Sequence, residues 1–216
     1  MKVTISSRPA GRPDDGWGPY LAPGEVLLWD GRPEYGRRLF EFVGAERAWH
    51  LGFLIGTVAL WLTWPLIEDD GSLTKGDAIW VYGALTLGFL IAAFYLAAAR
   101  SYLLDSLHYA VTDRRAIVRR EGRNHVLASR AYLVSCEHSS EFPYHIAEGR
   151  PHPSLTVGAL LSEDVVQPFG YGLTHPGWGP LRDRGVIPVL FEQIADAEAV
   201  RALLLATSDA SAAGQP

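Results

Sequence analysis

The sequence predicts a membrane-anchored α+β protein: a transmembrane hairpin of two α-helices plus a small curved antiparallel β-sheet closed by a C-terminal helix. Three observations lead there. Two long stretches contain no Asp, Glu, Lys or Arg. Beyond residue 100 the chain breaks into short β-rich runs bounded by Gly, Pro, Asn or Ser. Near the end, "DAEAVRALLLATS" sets Val200, Leu203, Leu204 and Thr207 at i, i+3, i+4 and i+7, one face of an amphipathic helix.

The chain has 216 residues, 48% of them hydrophobic, and a net charge of -5. That length suits one small domain with an appendage. The acidic balance argues against nucleic acid as a partner, since neutralising phosphates needs a basic face. Cys136 is the single cysteine, which rules out an intrachain disulfide and a multi-cysteine zinc site.

In chain order, residues 1–20 are rich in Pro, Gly, Ser and charge and are expected to form a disordered tail. Residues 21–48 form a juxtamembrane segment. Within it, 26–29 are a short strand stopped by Asp30-Gly31 and Pro33. Further on, "RRLFEFVGAERAW" either lies along a membrane surface with Leu39, Phe40 and Phe42 dipping into the interface, or extends the first span as a helix.

The hairpin occupies residues 49–100, with spans at 49–67 and 79–99. Each would measure roughly 28–31 Å as a helix, the thickness of a bilayer's hydrocarbon core. Trp49, Trp61, Trp64, Trp80, Tyr95 and Tyr102 gather towards the run ends, where amphipathic rings favour the headgroup level. Gly52 and Gly56 make a G-x-x-x-G step, and Ala84, Gly88 and Ala92 make a small-residue ladder. Both suit close helix packing, between the two spans first and across a homodimer seam second. The connecting loop is acidic apart from Lys75, whereas Arg37, Arg38, Arg47, Arg100, Arg114, Arg115, Arg119 and Arg120 flank the far ends. The positive-inside rule then puts both termini in the cytoplasm.

Residues 101–208 form the soluble domain, with strands expected at 109–112, 115–120, 125–128, 132–136, 154–160 and 186–191. The helix over 196–208 closes it, and residues 209–216 fray. "PGEVLLWDGRP", the apolar hairpin, "YAVTDRRAIV" and "FEQIADAEAVRALLL" together resemble bacterial membrane proteins with a pleckstrin-homology-like (PH-like) domain. The Y-x-x-T-x-x-R signature of that family falls on Tyr109, Thr112 and Arg115. The resemblance covers roughly residues 21–206. It implies a multi-pass protein of the bacterial inner membrane whose cytoplasmic PH-like domain is a binding or scaffold module, with no catalytic positions to carry over.

Candidate functional residues follow from type and position. Arg114, Arg115, Arg119 and Arg120 are candidates for anionic lipid headgroups, each basic group near a leaflet contributing about 1 kcal/mol. In a strand Arg119 and Arg120 point to opposite faces, so they build no single pocket unaided. The Gly/Pro-rich loop 167–185 carries Phe169, Tyr171 and Trp178, which could anchor a partner. Cys136, His138, His145 and His152 match no compact metal-ligand spacing, so no metal is expected. No phosphate loop, dinucleotide turn, nucleophile elbow or zinc-protease helix is present, and no cofactor is expected. A membrane-surface enzyme would need a convergent polar cluster, with His138, Glu141 and His145 the nearest approach. The expected partners are the bilayer and a second copy or another membrane protein.

Overall fold

The structure is a computed structural model; it describes residues 3–6, 16–44, 46–67, 74–121, 132–161 and 186–213. The chain divides into two compact units. One comprises residues 1–41 and 100–216, the other residues 42–99.

Among the described residues the first unit contains eight strands and a closing helix. The strands are β1 Val3–Ser6, β2 Leu27–Gly31, β3 Leu107–Thr112, β4 Arg115–Arg120, β5 Tyr132–Glu137, β6 Ile146–Ala147, β7 Ser154–Leu161 and β8 Val186–Phe191. All pairings are antiparallel. Five strands form one sheet in the order β1-β5-β4-β3-β2, and three form another in the order β6-β7-β8. The β3–β4 hairpin runs Leu107↔Arg120 to Val111↔Ala116 and turns through Asp113 and Arg114.

Both faces of the larger sheet are covered, so β3 and β4 are buried along nearly their whole length rather than alternately. On one face Tyr20, Ala110, Ile117 and Leu133 pack together under Trp17, Leu21 and Leu27. On the other, Tyr109 and Trp29 stack on Phe191, with centroids 4.8 and 5.7 Å apart. The α-helix that closes the unit, residues Ala197–Ala213, buries Ala197, Val200, Leu204 and Ser208. That is one stripe at i, i+3, i+7 and i+11.

Several expectations are corrected. Residues 1–20 contain a strand, β1, because Val3–Ser6 satisfy the free edge of β5 in register with Leu133–Cys136. Within the same stretch a 3-10 turn, Gly18–Tyr20, carries the buried Tyr20. Residues 21–41 belong to the same compact unit as the sheet, and β2 is the sheet neighbour of β3 although the apolar hairpin separates them in sequence. Residues 32–44 contain no helix, so the helical extension of the first span is confined to the three residues 46–48. The last helix continues past the expected fraying point to Ala213. The candidate strand at 125–128 and the 167–185 loop with Trp178 lie outside the described residues.

The second unit holds α1, Glu46–Leu62, a 3-10 turn Trp64–Leu66, and most of α2, Lys75–Asp105. Both helices are long and apolar enough to cross a membrane, and none of either apolar window is buried inside the protein. The seam between them is aromatic and polar. Phe53 stacks on Phe89 at 5.8 Å, Trp61 Nε1 donates to Thr86 Oγ1 at 2.9 Å, and Thr63 Oγ1 bonds Tyr82 OH at 2.7 Å. His50 turns its two ring nitrogens to the carbonyls of Glu46 and Ala93. The small residues are not what closes this seam. A Cβ on Gly56 would meet the Phe89 ring at 3.5 Å, but one on Gly52 or Gly88 would meet nothing within 4 Å, and Ala84 is exposed. Of the three glycines in the expected packing set, Gly56 alone faces the partner helix. The long aromatic side chains reach across and keep the two backbones from the close contact that glycine permits.

Candidate functional site

Three residues of the resemblance motifs, Glu25, Thr112 and Arg115, meet in one place. In "APGE", the amide of Glu25 donates to the carbonyl of Ala22 at 3.0 Å, closing a four-residue turn. Gly24 occupies its third position at φ 73°, where a side chain would be strained, and Pro23 sets the second. The turn aims the Glu25 carboxylate back at its own start, where Oε2 accepts from Ala22 N at 2.6 Å.

Across the sheet, Thr112 ends β3. Its hydroxyl accepts from the amides of Arg114 and Arg115, at 3.2 and 3.0 Å, and so shapes the hairpin turn. The same oxygen donates to Glu25 Oε1 at 2.7 Å. Arg115 completes the cluster. Its Nε and Nη2 donate to the two carboxylate oxygens at 2.8 Å each, and Nη2 also reaches the Tyr20 carbonyl at 3.0 Å. This is the bidentate fork that makes guanidinium–carboxylate pairs strong. The Glu25 side chain is fully enclosed. Burial alone would raise its pKa, but hydrogen bonds from Arg115, Ala22 and Thr112 and the arginine's charge outweigh that and hold it at about 2.

Further contacts lock the turn. Val26 and Asp113 exchange bonds, with Val26 N to Asp113 Oδ1 at 2.9 Å and Asp113 N to the Val26 carbonyl at 3.0 Å. His138 Nε2 lies 2.8 Å from the Thr112 carbonyl, and burial lowers this imidazole's pKa. The third signature residue, Tyr109, is wholly buried on the opposite face, where its hydroxyl accepts from the Glu192 amide at 3.0 Å. Thr112 and Arg115 therefore act together, and Tyr109 acts in the core.

The hairpin arginines separate by environment. Arg119 is enclosed on the N-terminal side of the sheet, 4.9 Å from the Trp17 ring centroid and 4.6 Å from that of Tyr20. It donates to the Gly16 carbonyl at 3.0 Å and pairs with Glu121. Arg120 is buried on the other face, as strand alternation requires. Arg114 alone of the four has a side chain more than half exposed, with Asp113 3.8 Å away. Arg115, Arg119 and Arg120 are thus turned inward, the first two because the segment around residues 16–27 covers their face of the sheet; Arg114 alone of the lipid candidates keeps an exposed guanidinium.

The polar residues with chemical potential do not converge. Cys136 is buried in β5 and burial pushes its thiol up to about 12, far from a reactive thiolate. Glu141 and His145 are exposed on the connection after β5, whereas His138 is turned towards Thr112. Among the described residues no three His, Cys, Asp or Glu side chains are grouped to hold a metal ion. One further polar device, centred on Arg100, escaped the sequence reading. This residue is 2% exposed and donates to the carbonyls of Gly36, Arg38 and Leu39. Its only sequence signal was an arginine at the end of an apolar run.

No family model, curated protein or solved structure matches this chain.

Proposed function

We propose that this is a multi-pass protein of the bacterial inner membrane that presents a cytoplasmic PH-like binding or scaffold module, without catalytic activity of its own. The observation that carries the reading is the exposure of apolar side chains along both long helices. Leu54, Leu90, Ile91 and Phe94 are each 60% exposed or more. A water-soluble chain would hide such surface, whereas a bilayer solvates it.

The sheet topology supports a common side for both termini. Strands β2 and β3 are hydrogen-bonded neighbours that flank the hairpin in sequence, and a sheet cannot be divided by a bilayer. The arginine bias around the outer ends of the hairpin, against an acidic connecting loop, favours the cytoplasm for that side. The β-rich unit with its closing helix suits the PH-like layout. Consumption of Glu25, Thr112 and Arg115 in internal bonds supports association over chemistry. The partner would be a second copy or another membrane protein.

Compartment reporters fused at residues 70 and 216 test the topology: the expected result is an exterior signal at 70 and a cytoplasmic one at 216. An exterior signal at 216 would overturn the orientation. Crosslinking in native membranes tests the module, with capture of a discrete protein partner or homodimer expected. Recovery of uncrosslinked monomer alone at saturating reagent would count against an association role.

A further inference from the structure

We infer that the loop at residues 36–41 is a lipid-contact element, in which Phe40 enters the headgroup–acyl boundary of an anionic leaflet and Arg38 meets lipid phosphate. The inference rests on the reading that the two long helices cross a bilayer.

The loop is rigidly built. The carbonyls of Gly36, Arg38 and Leu39 are gathered by the buried Arg100 guanidinium, at 2.5 Å for Arg38 and 2.7 Å for Leu39. The carbonyl between them, that of Arg37, accepts from Ser101 Oγ. From the other end, Glu41 Oε2 accepts from the amides of Gly36 and Arg38 at 2.9 and 3.1 Å, and Glu41 N donates to the Arg38 carbonyl at 3.1 Å. Gly36, at φ 90°, permits the bend.

A loop so satisfied on its polar side has fixed what it leaves outside. Phe40 is 81% exposed and the Arg38 side chain 89% exposed. Leu39 is half-buried, and the Phe42 ring stands 4.2 Å from that of His50, so of the three apolar residues in this stretch only Phe40 is presented outward. An aromatic ring beside a guanidinium is the pair that a lipid–water boundary accommodates, ring below and cation at the phosphates. Chain continuity keeps it within reach of that boundary. Phe40 precedes the start of α1 at Glu46 by six residues, a reach of at most about 20 Å. The residue that clamps the loop, Arg100, directly follows the uncharged, largely apolar run 78–99 of α2.

The nearby acids temper the charge without cancelling it. Glu41 stands 3.8 Å from Arg38, and Asp105 stands 3.9 Å from Arg37. The cationic partner for lipid phosphate is therefore Arg38, whose side chain points into solvent.

Site-directed spin labelling of the full chain in phosphatidylcholine–phosphatidylglycerol nanodiscs tests this. Cys136 is buried and unlabelled, so Phe40→Cys, Leu54→Cys and Glu198→Cys each give one reporter. The expected result is greater collision with oxygen than with a water-soluble nickel chelate at positions 40 and 54, and the reverse at 198. A water-exposed label at 40 beside a lipid-exposed label at 54 would overturn the inference while leaving the anchor intact. A water-exposed label at 54 would overturn both. Replacing Arg38 with Gln, or omitting phosphatidylglycerol, is expected to shift label 40 towards water; an unchanged depth in both cases would remove the phosphate contact.

Discussion

Glu25 and Arg115 lie ninety positions apart in the chain, yet the guanidinium holds both carboxylate oxygens at 2.8 Å. The pair joins the turn before β2 to the turn after β3, so it fastens the two strands that the apolar hairpin separates in sequence. An enclosed carboxylate that loses its partner is left as an uncompensated buried charge, which costs far more than an exposed ion pair.

Replacing Arg115 with Ala is therefore expected to destabilise the β-rich unit by about 3–5 kcal/mol. Glu25→Gln is expected to lose less, because the amide keeps the shape and one acceptor. Thermal unfolding of the full chain in mild detergent, followed by tryptophan fluorescence, measures both. Equal melting of Arg115→Ala and the parent chain would refute the lock.

The same carboxylate sets an acid limit. Its folded pKa of about 2 lies below the ordinary 4.5, so the unfolded chain binds the extra proton first as pH falls. The stabilisation, about 3 kcal/mol, is complete above pH 4.5 and is lost as pH drops towards 2. Burial lowers the folded pKa of His108 and of His138, so neither ring affects stability above its ordinary 6.5, and the cost of protonating them destabilises the fold progressively below it. Melting temperature against pH is expected to fall from about pH 6.5 downward, and Glu25→Gln is expected to flatten the part below 4.5.

The arginines of the β3–β4 hairpin should divide by environment rather than by charge. Arg119→Ala removes contacts with two aromatic rings and the Gly16 carbonyl and is expected to cost roughly 2–4 kcal/mol. Arg114→Gln, at an exposed side chain, is expected within about 0.5 kcal/mol of the parent. Denaturant unfolding of each variant separates them. The reverse ranking would mean that Trp17 and Tyr20 do not cover this face.

Two glycines report close approaches. A Cβ at Gly31 would stand 2.6 Å from the Trp29 ring, and that ring stacks on Phe191. Gly31→Ala is thus expected to cost about 1–3 kcal/mol through overpacking. In the helical hairpin, Gly56→Leu should collide with Phe89, whereas Gly52→Leu enters open space. A glycine-to-leucine pair compared by thermal stability in detergent is expected to show loss at 56 alone.

The thiol of Cys136 offers a clean probe of folding. Buried in β5 and pushed up to about 12, it is expected to resist maleimide at neutral pH until the unit unfolds. Rapid labelling of the folded chain would show that β5 opens.

Much of the fold was legible because it is written in periodicity. The β3–β4 hairpin, β7, β8 and the closing helix fall close to where alternation, turn residues and helical spacing placed them. The two apolar helices were equally plain, since length and absence of charge act locally. The N-terminal contribution was not. Val3–Ser6 and the Gly18–Tyr20 turn sit in a polar, Pro/Gly-rich stretch that alone resembles a tail; it is ordered by a sheet edge and an arginine supplied more than a hundred residues later.

By itself, then, the sequence determined the β3–β4 hairpin, β7, β8, the closing helix and the two segments long and apolar enough to cross a membrane, because those properties depend on neighbours within a turn or two. Only the tertiary structure decided that three of the four hairpin arginines turn inward, that Glu25 belongs to Arg115 and Thr112, and that Gly52 and Gly88 lie off the helix seam. Those outcomes depend on which distant residues arrive beside a charge or a backbone. Spacing along the chain carries no record of that meeting.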